Sequence, residues 1–364
     1  MLGTALVLAS LSASCDRAEE PKSDVVVQPS AIASVAPAAA PAPVKVDVRE
    51  SAMGTEVHII AYTSGSAGEA DTRKAIKAAV AEIRRLESLM TSWRDDSEVA
   101  ELNRRAGEFV RVSPETYAVI ERSLWAGKLS EGTFDISFSP LSDVWKFGDA
   151  AEAAPQIPSK AQVLPLVARV DYRKIQLKQQ QSSVAIGKAQ RIDLGGIAKG
   201  YAVDAAVAIL RKAKLHSFLV QAGGDLYGAG KKPDGSAWVS GIRDPRGGSN
   251  DFFATLELED RAFSTAGDYA RAFIKDGKRY HHIIDPRTGF PATACRSVTV
   301  WAKDALTADA VDDAVFILGV EAGLKIVAGL EGTGVVVVDG ENRVHISERL
   351  KGKVRLTRPP SDGI

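Results

Sequence analysis

Cysteine is almost missing from this chain of 364 residues: Cys15 and Cys295 are the pair present, too few for a disulfide scaffold or a cysteine-ligated zinc site. Charge of one sign is also not in excess. The 46 basic residues match 46 acidic ones, which argues against a broad nucleic-acid-binding surface, since that needs a basic surplus. Past residue 15, no apolar run reaches the length of a membrane span. The glycines near position 195 follow neither the G-x-G-x-x-G nor the Walker pattern, so neither nucleotide fold is implied. What is present is length enough for a large core in one or two domains, and an ordinary hydrophobic share of 45%.

The first residues have another character. Leu2 to Ser14 form a short apolar run ending in small residues, the layout of a secretory signal. Cys15 directly after it resembles the lipidated cysteine of a bacterial lipoprotein. Residues 16–46 are rich in Ala, Pro, Ser and Val and cannot bury a core, so they read as an extended tether. The expected division is a signal over 1–15, a linker over 16–46, a folded domain over 47–350 and a tail over 351–364. With Cys15 lipidated, Cys295 is a lone and buried thiol.

Within the domain, Val46 to Ala61 alternates as a hairpin, and Asp71 to Met90 has helical spacing. Further helices are expected from Glu98 and Pro114, and one capped by Thr307 runs to about Leu318. Strands are expected at 170–186, 218–222, 238–246, 253–258 and 298–301, with a closing hairpin over 335–347. Strands and helices interleave without a βαβ rhythm, so the fold class is α+β.

The stretch from Arg191 to Asp204 organises the chain. It reads as a strand end, a glycine turn and a helix with Ile197, Tyr201, Ala205, Ala208 and Ile209 on its core face. Unpartnered amides at such a helix start attract phosphate, and Lys199 in the first turn favours an anionic ligand. Asp193 could accept hydrogen bonds from a base or sugar. The plainer alternative is a βα turn whose glycines serve packing. Asp309 and Asp313, four apart, share one helix face, where a divalent cation would neutralise both; acidic enrichment near a helix start is the alternative. His281 and His282 point to opposite faces of a strand, so at most one enters a site.

Asp-Leu-Gly-Gly-Ile-Ala-Lys-Gly-Tyr followed by Asp204 resembles the signature of the ApbE-type flavin transferases, the FAD:protein FMN transferases. Blocks from about residue 48 to 345 follow the family's order. They include Thr133-Phe134-Asp135, Pro140-Leu141 with Trp145, Ser264 to Tyr269, and Tyr280 to Gly289. The resemblance implies an ApbE-like mixed sheet-and-helix domain that transfers FMN from FAD to a Thr or Ser hydroxyl of a target protein, releasing AMP. It implies flavin or nucleotide contacts at Met53, Trp93, Thr133, Phe134, Asp135, Asp193, Lys199, His282 and Ile284. It implies catalytic roles for His282, as base, and Asp285. It implies Mg²⁺ held by Asp309, Asp313 and the Gly196 carbonyl, with Asp313 standing where the family has a hydroxyl residue. The acceptor would be a membrane redox subunit, met on the periplasmic side of the inner membrane. The alternatives are hydrolysis of FAD to FMN and AMP, and a flavin-binding lipoprotein without turnover.

Overall fold

The computed structural model describes residues 42–148 and 154–363; the signal, Cys15 and nearly all of the linker lie outside the described residues. Alternating apolar residues build a main sheet of eight strands. These are β1 (Lys45–Ala52), β2 (Thr55–Tyr62), β3 (Phe218–Ala222), β4 (Asp225–Ala229), β5 (Arg261–Gly267), β6 (Cys295–Ala302), β7 (Gly334–Asp339) and β8 (Val344–Ile346). Each lies antiparallel to the next in chain order, so the sheet is a meander interrupted by insertions. β1 and β2 join through Met53-Gly54, both at positive φ (54° and 67°), as a two-residue hairpin turn requires.

Strand alternation gives the sheet two buried faces. On one, Ile59, Phe218, Val220, Val298, Val300, Val335 and Val337 meet helices. On the other, Leu226, Phe263, Trp301, Val336 and Val338 meet a three-stranded sheet of Trp238–Arg243, Phe252–Leu258 and Val354–Leu356. That last strand lies beyond residue 350, so the fold runs further than the expected domain end, and β1 begins inside the expected linker. Cys295 is buried in β6, as expected of a lone thiol.

The helices are α1 (Glu69–Met90), α2 (Glu98–Arg104), α3 (Pro114–Leu129), α4 (Lys160–Val167), α5 (Ala198–Lys212), α6 (Ala305–Leu318) and α7 (Val320–Ala328). Ile76, Val80, Ile83 and Leu86 form the buried stripe of α1. In α5 the buried stripe is Ala198, Ala202, Val203, Ala206, Val207 and Leu210. Ile197 is buried with them, and Tyr201, Ala205 and Ile209 are half-buried against the same core, while Ala208 is exposed. The expected face thus lies along one edge of the buried stripe. The segment before α5 is not a strand. Its backbone at Ile192 is instead held by Asn103, whose amide donates to the Ile192 carbonyl (3.0 Å) and accepts from the Ile192 N–H (2.8 Å).

The start of α6 is fixed by two carboxylates. Asp204 accepts from the Ala305 and Leu306 amides (2.8 and 2.9 Å), and Asp304 accepts from the Thr307 amide (2.7 Å). The cap is thus Asp304 rather than Thr307, since a capping oxygen must reach the amide three residues on. The Thr307 hydroxyl instead accepts from Arg122. α5 and α6 touch at Gly200, where a Cβ would lie 2.3 Å from the Ala305 carbonyl oxygen and 2.8 Å from the Asp309 Cβ.

Two outcomes follow from this contact. Gly200→Ala raises helix propensity, yet the clash is with rigid backbone, so the variant should lose about 1–3 kcal/mol in denaturant unfolding. Asp204 is pushed up to about 7 from 3.8, by burial first, while its two amide partners pull it down. Its contribution is therefore fully present below about pH 3.8 and is lost as pH rises through about 7. Asp204→Asn keeps an acceptor and cannot ionise, so its melting temperature should gain on the native chain between about pH 5 and pH 8.

Candidate active site

Four carboxylates and one ammonium converge where α5 begins, α6 passes and β4 starts. Lys199 Nζ lies 3.0 Å from Asp225 Oδ2 and 3.2 Å from Asp309 Oδ1. Asp309 Oδ2 also accepts from the Gly200 amide at 2.9 Å. Asp225, Asp309 and Asp312 each offer a carboxylate oxygen within 4.8 Å of the others. Asp313 joins them over Gly196, where a Cβ would lie 3.0 Å from Asp313 Oδ2 and 3.5 Å from the Phe134 ring.

The electrostatics reflect this crowding. Burial, then Asp225, raises the Asp309 carboxyl; burial, then Asp313 and Asp309, raises Asp312 well above the usual range. Burial raises Asp313 as well, against the pull of Lys199. For Lys199, burial alone would lower the ammonium, but Asp225 and Asp309 outweigh it and hold it protonated. Ser264 Oγ reaches both Asp225 Oδ1 and Asp312 Oδ2, the latter at 2.6 Å. A hydroxyl has one proton, so Ser264 donates to one of the two carboxylates at a time. The donor set is all oxygen, rich in carboxylate and short of positive charge. That chemistry fits a hard divalent cation.

The expected metal residues Gly196, Asp309 and Asp313 do come together. Asp225, Asp312 and Ser264 join them and were not singled out from sequence. Asp225 follows the expected strand at 218–222, Asp312 stands beside Asp313, and Ser264 heads the block from Ser264 to Tyr269. Only the sheet pairing of β4 with β5 brings Asp225 and Ser264 together opposite Asp312 on α6.

The start of α5 departs from the phosphate-cradle expectation. The Gly195 amide is taken by Asp193 Oδ1 (2.7 Å), and the Ile197 and Ala198 amides by the Leu194 carbonyl. With the Gly200 amide on Asp309, the helix start meets the chain's own carboxylates. Lys199 likewise faces carboxylates. Asp193 is engaged at both oxygens, the second accepting from Ser92.

Other expected residues divide into open and committed. Trp93 is 88% exposed, so it is no core aromatic and its ring is open to a ligand. Met53 packs at the edge of the helical core beside a shallow surface hollow lined by Ala52, Gly54 and Thr55. Thr133 and Phe134 are buried, with the Phe134 ring over Gly196. Asp135 is committed to backbone: Oδ1 accepts from Ser137 and Oδ2 from the Tyr172 amide. Asp285 caps its own turn and pairs with Arg287 (2.8 Å), and Ile284 packs with Trp145 and Phe273.

His281 is buried, with Nε2 on the Ala292 carbonyl (2.8 Å), and serves the fold. His282 Nδ1 is buried without a hydrogen-bond partner. Burial first, then His281 and Arg271, lower its pKa to about 3, and Lys199 adds to the effect. His282 is therefore a neutral imidazole at physiological pH.

Comparison with known proteins shows the family of this chain. The sequence profile of the ApbE family matches residues 53–337. A protein of Treponema pallidum named FAD:protein FMN transferase is 32% identical over 323 residues, covering 84% of this chain and 88% of that one. The crystal structure of the ApbE protein of Thermotoga maritima superposes with a TM-score of 0.77 at 32% identity, covering 86% of this chain and all (100%) of that one. The flavin transferase ApbE of Vibrio cholerae superposes with a TM-score of 0.73 at 27% identity, over 85% of this chain and 99% of that one. The α+β domain described here belongs to the ApbE family.

Proposed function

We propose that this chain is an FAD:protein FMN transferase: it moves FMN from FAD to a Thr or Ser hydroxyl of an acceptor protein and releases AMP. The observation that carries the reading is the convergence of Lys199, Asp225, Asp309, Asp312 and Asp313 in a chain whose relatives bear that name. FAD is bound as substrate, its rings against Trp93 and Met53. Asp309, Asp313 and the Gly196 carbonyl, with Asp225 beside them, would hold Mg²⁺. When bound, the ion neutralises pyrophosphate charge and assists the departing AMP. Lys199 supplies a second positive charge, kept protonated by its carboxylate neighbours. His282, a neutral imidazole, accepts the proton of the acceptor hydroxyl at a ring nitrogen as its oxygen attacks the FMN-side phosphorus.

The acceptor is proposed to be a membrane redox subunit, and the enzyme to be exported and lipid-anchored at Cys15 on the periplasmic side of the inner membrane. The apolar run before Cys15 and the Ala/Pro-rich tether support this. Among the described residues no helix is long and apolar enough to cross a membrane. Labelled palmitate should enter the native chain in a bacterial host and not Cys15→Ala; equal labelling would refute the anchor.

The direct test is incubation with FAD, Mg²⁺ and acceptor, followed by intact mass. An FMN-sized gain on the acceptor supports transfer. AMP release with no gain supports hydrolysis. His282→Ala should keep FAD affinity and lose transfer by about a hundredfold or more. His281→Ala should mainly lower the melting temperature. Asp309→Ala should stop transfer while FAD still docks, and chelation should do the same to the native chain. Transfer that persists undiminished in chelator would remove the metal from the mechanism.

A further inference from the structure

Arginines gather on the face beside His282. Arg243 ends strand Trp238–Arg243 and lies 4.5 Å over the Tyr269 ring. Arg246 forks onto Asp268 (2.7 and 2.8 Å), both side chains under one tenth exposed. Arg271 is exposed, and its carbonyl accepts from the His282 amide at 3.1 Å. Arg296 lies in β6, and Arg279 is within electrostatic reach of Arg246, Asp268 and Arg296. Tyr269 in turn feels both Arg243 and Asp312, so this face borders the carboxylate cluster. Such a surplus stands out in a chain whose formal net charge is zero.

One acidic segment already rests there. Past Val354–Leu356 the chain crosses the end of the second sheet. Ser361 donates from its amide and hydroxyl to Asp244 Oδ2 (2.9 and 2.7 Å), and Asn342 donates to the Pro360 carbonyl. Asp362 then pairs with Arg296 at 3.2 Å, and Arg246 Nε donates to the Gly363 carbonyl at 3.3 Å. Asp362 is 84% exposed against 13% for Arg296, so this pair is open on the acid's side and is weaker than the Ser361 bonds that anchor the segment.

We propose that the face of Arg243, Arg246, Arg271 and Arg296 docks an acidic segment of the acceptor polypeptide beside its reacting hydroxyl, with residues 360–363 as a resident competitor. The inference rests on the reading that this chain modifies a protein. Interfacial charge of this kind selects partners and orients them before close contact forms. It would bring an acceptor to His282 without occupying the carboxylate cluster.

The probes are two labelled twelve-residue peptides, each with one Thr, one carrying three Asp and the other Asn in their place. Binding is read by fluorescence anisotropy on the full chain. The Asp peptide is expected to bind about tenfold more tightly at low salt, with the difference shrinking as salt rises. Asp362→Asn, and a chain ending at Pro359, should bind it several-fold more tightly than the native chain. Arg296→Glu and Arg271→Glu should abolish the preference, with melting curves checking that each is folded. Equal binding of the two peptides, or a preference that survives both reversals, overturns the proposal. So does loss of FAD binding in Arg296→Glu, which would assign the arginines to FAD phosphate. AMP release and FMN transfer are measured separately on the unaltered chain, so failure of the transferase reading is distinguishable from failure of this one.

Discussion

The rest of this structure depends on one close approach. α5 and α6 can touch only because Gly200 has no Cβ to meet the Ala305 carbonyl. That contact brings the start of α5 against the acidic face of α6. The positive end of one helix then meets Asp309 of the other, through the Gly200 amide. Lys199 follows into the same space, and Asp225 reaches it from β4. The result is a buried group of carboxylates with too little positive charge nearby. Such a cluster stays folded by raising the carboxyl pKa values of Asp309, Asp312 and Asp313, with Ser264 bridging Asp225 and Asp312. A site whose charge is unbalanced alone has a ready use for a cation and little tolerance of a free anion.

The meander order of the main sheet explains how distant residues meet. Because successive sheet strands are spatial neighbours, each insertion leaves and returns at adjacent positions. The long insertion between β2 and β3 carries Trp93, Thr133, Phe134, Asp193 and Lys199. The one between β5 and β6 carries His282, and the one between β6 and β7 carries α6. They leave the sheet from both of its halves, and the contact of α5 with α6 joins the first to the third. The main sheet's second face is closed by a separate small sheet, so chemistry is left to the helical side.

Much of this was legible in sequence, and the parts that were not share a cause. The β1–β2 hairpin, α1, α3 and the β7–β8 hairpin follow from patterns within one segment, and they appear where alternation and helical spacing put them. The pair Asp309 and Asp313 was legible because both lie on one helix. Asp225 was not, since nothing local to Gly223-Gly224-Asp225 tells which helix its strand will face. Trp93 could be read as a core aromatic or a ligand contact from its neighbours alone; its exposure is decided by the whole fold. The phosphate-cradle reading of Gly195 met the same limit. Sequence shows that a helix start has amides to satisfy, but not that Asp193, Leu194 and Asp309 lie within reach to satisfy them.

His282 shows the reverse case, a residue whose chemistry is set by what the fold withholds. Its neighbour His281 has a carbonyl partner and a ring contact with Phe316, and is fixed. His282 has its amide tied to Arg271 but its Nδ1 unpartnered, in surroundings that are buried and cationic. An imidazole left so is neutral, with one of its two ring nitrogens carrying a lone pair. Neutrality alone makes it a weak base. Bringing negative phosphate nearby would offset Arg271 and Lys199 and strengthen that base while substrate is present. Occupancy of the site and readiness to take a proton would thus rise together, a coupling that needs no moving part in the protein.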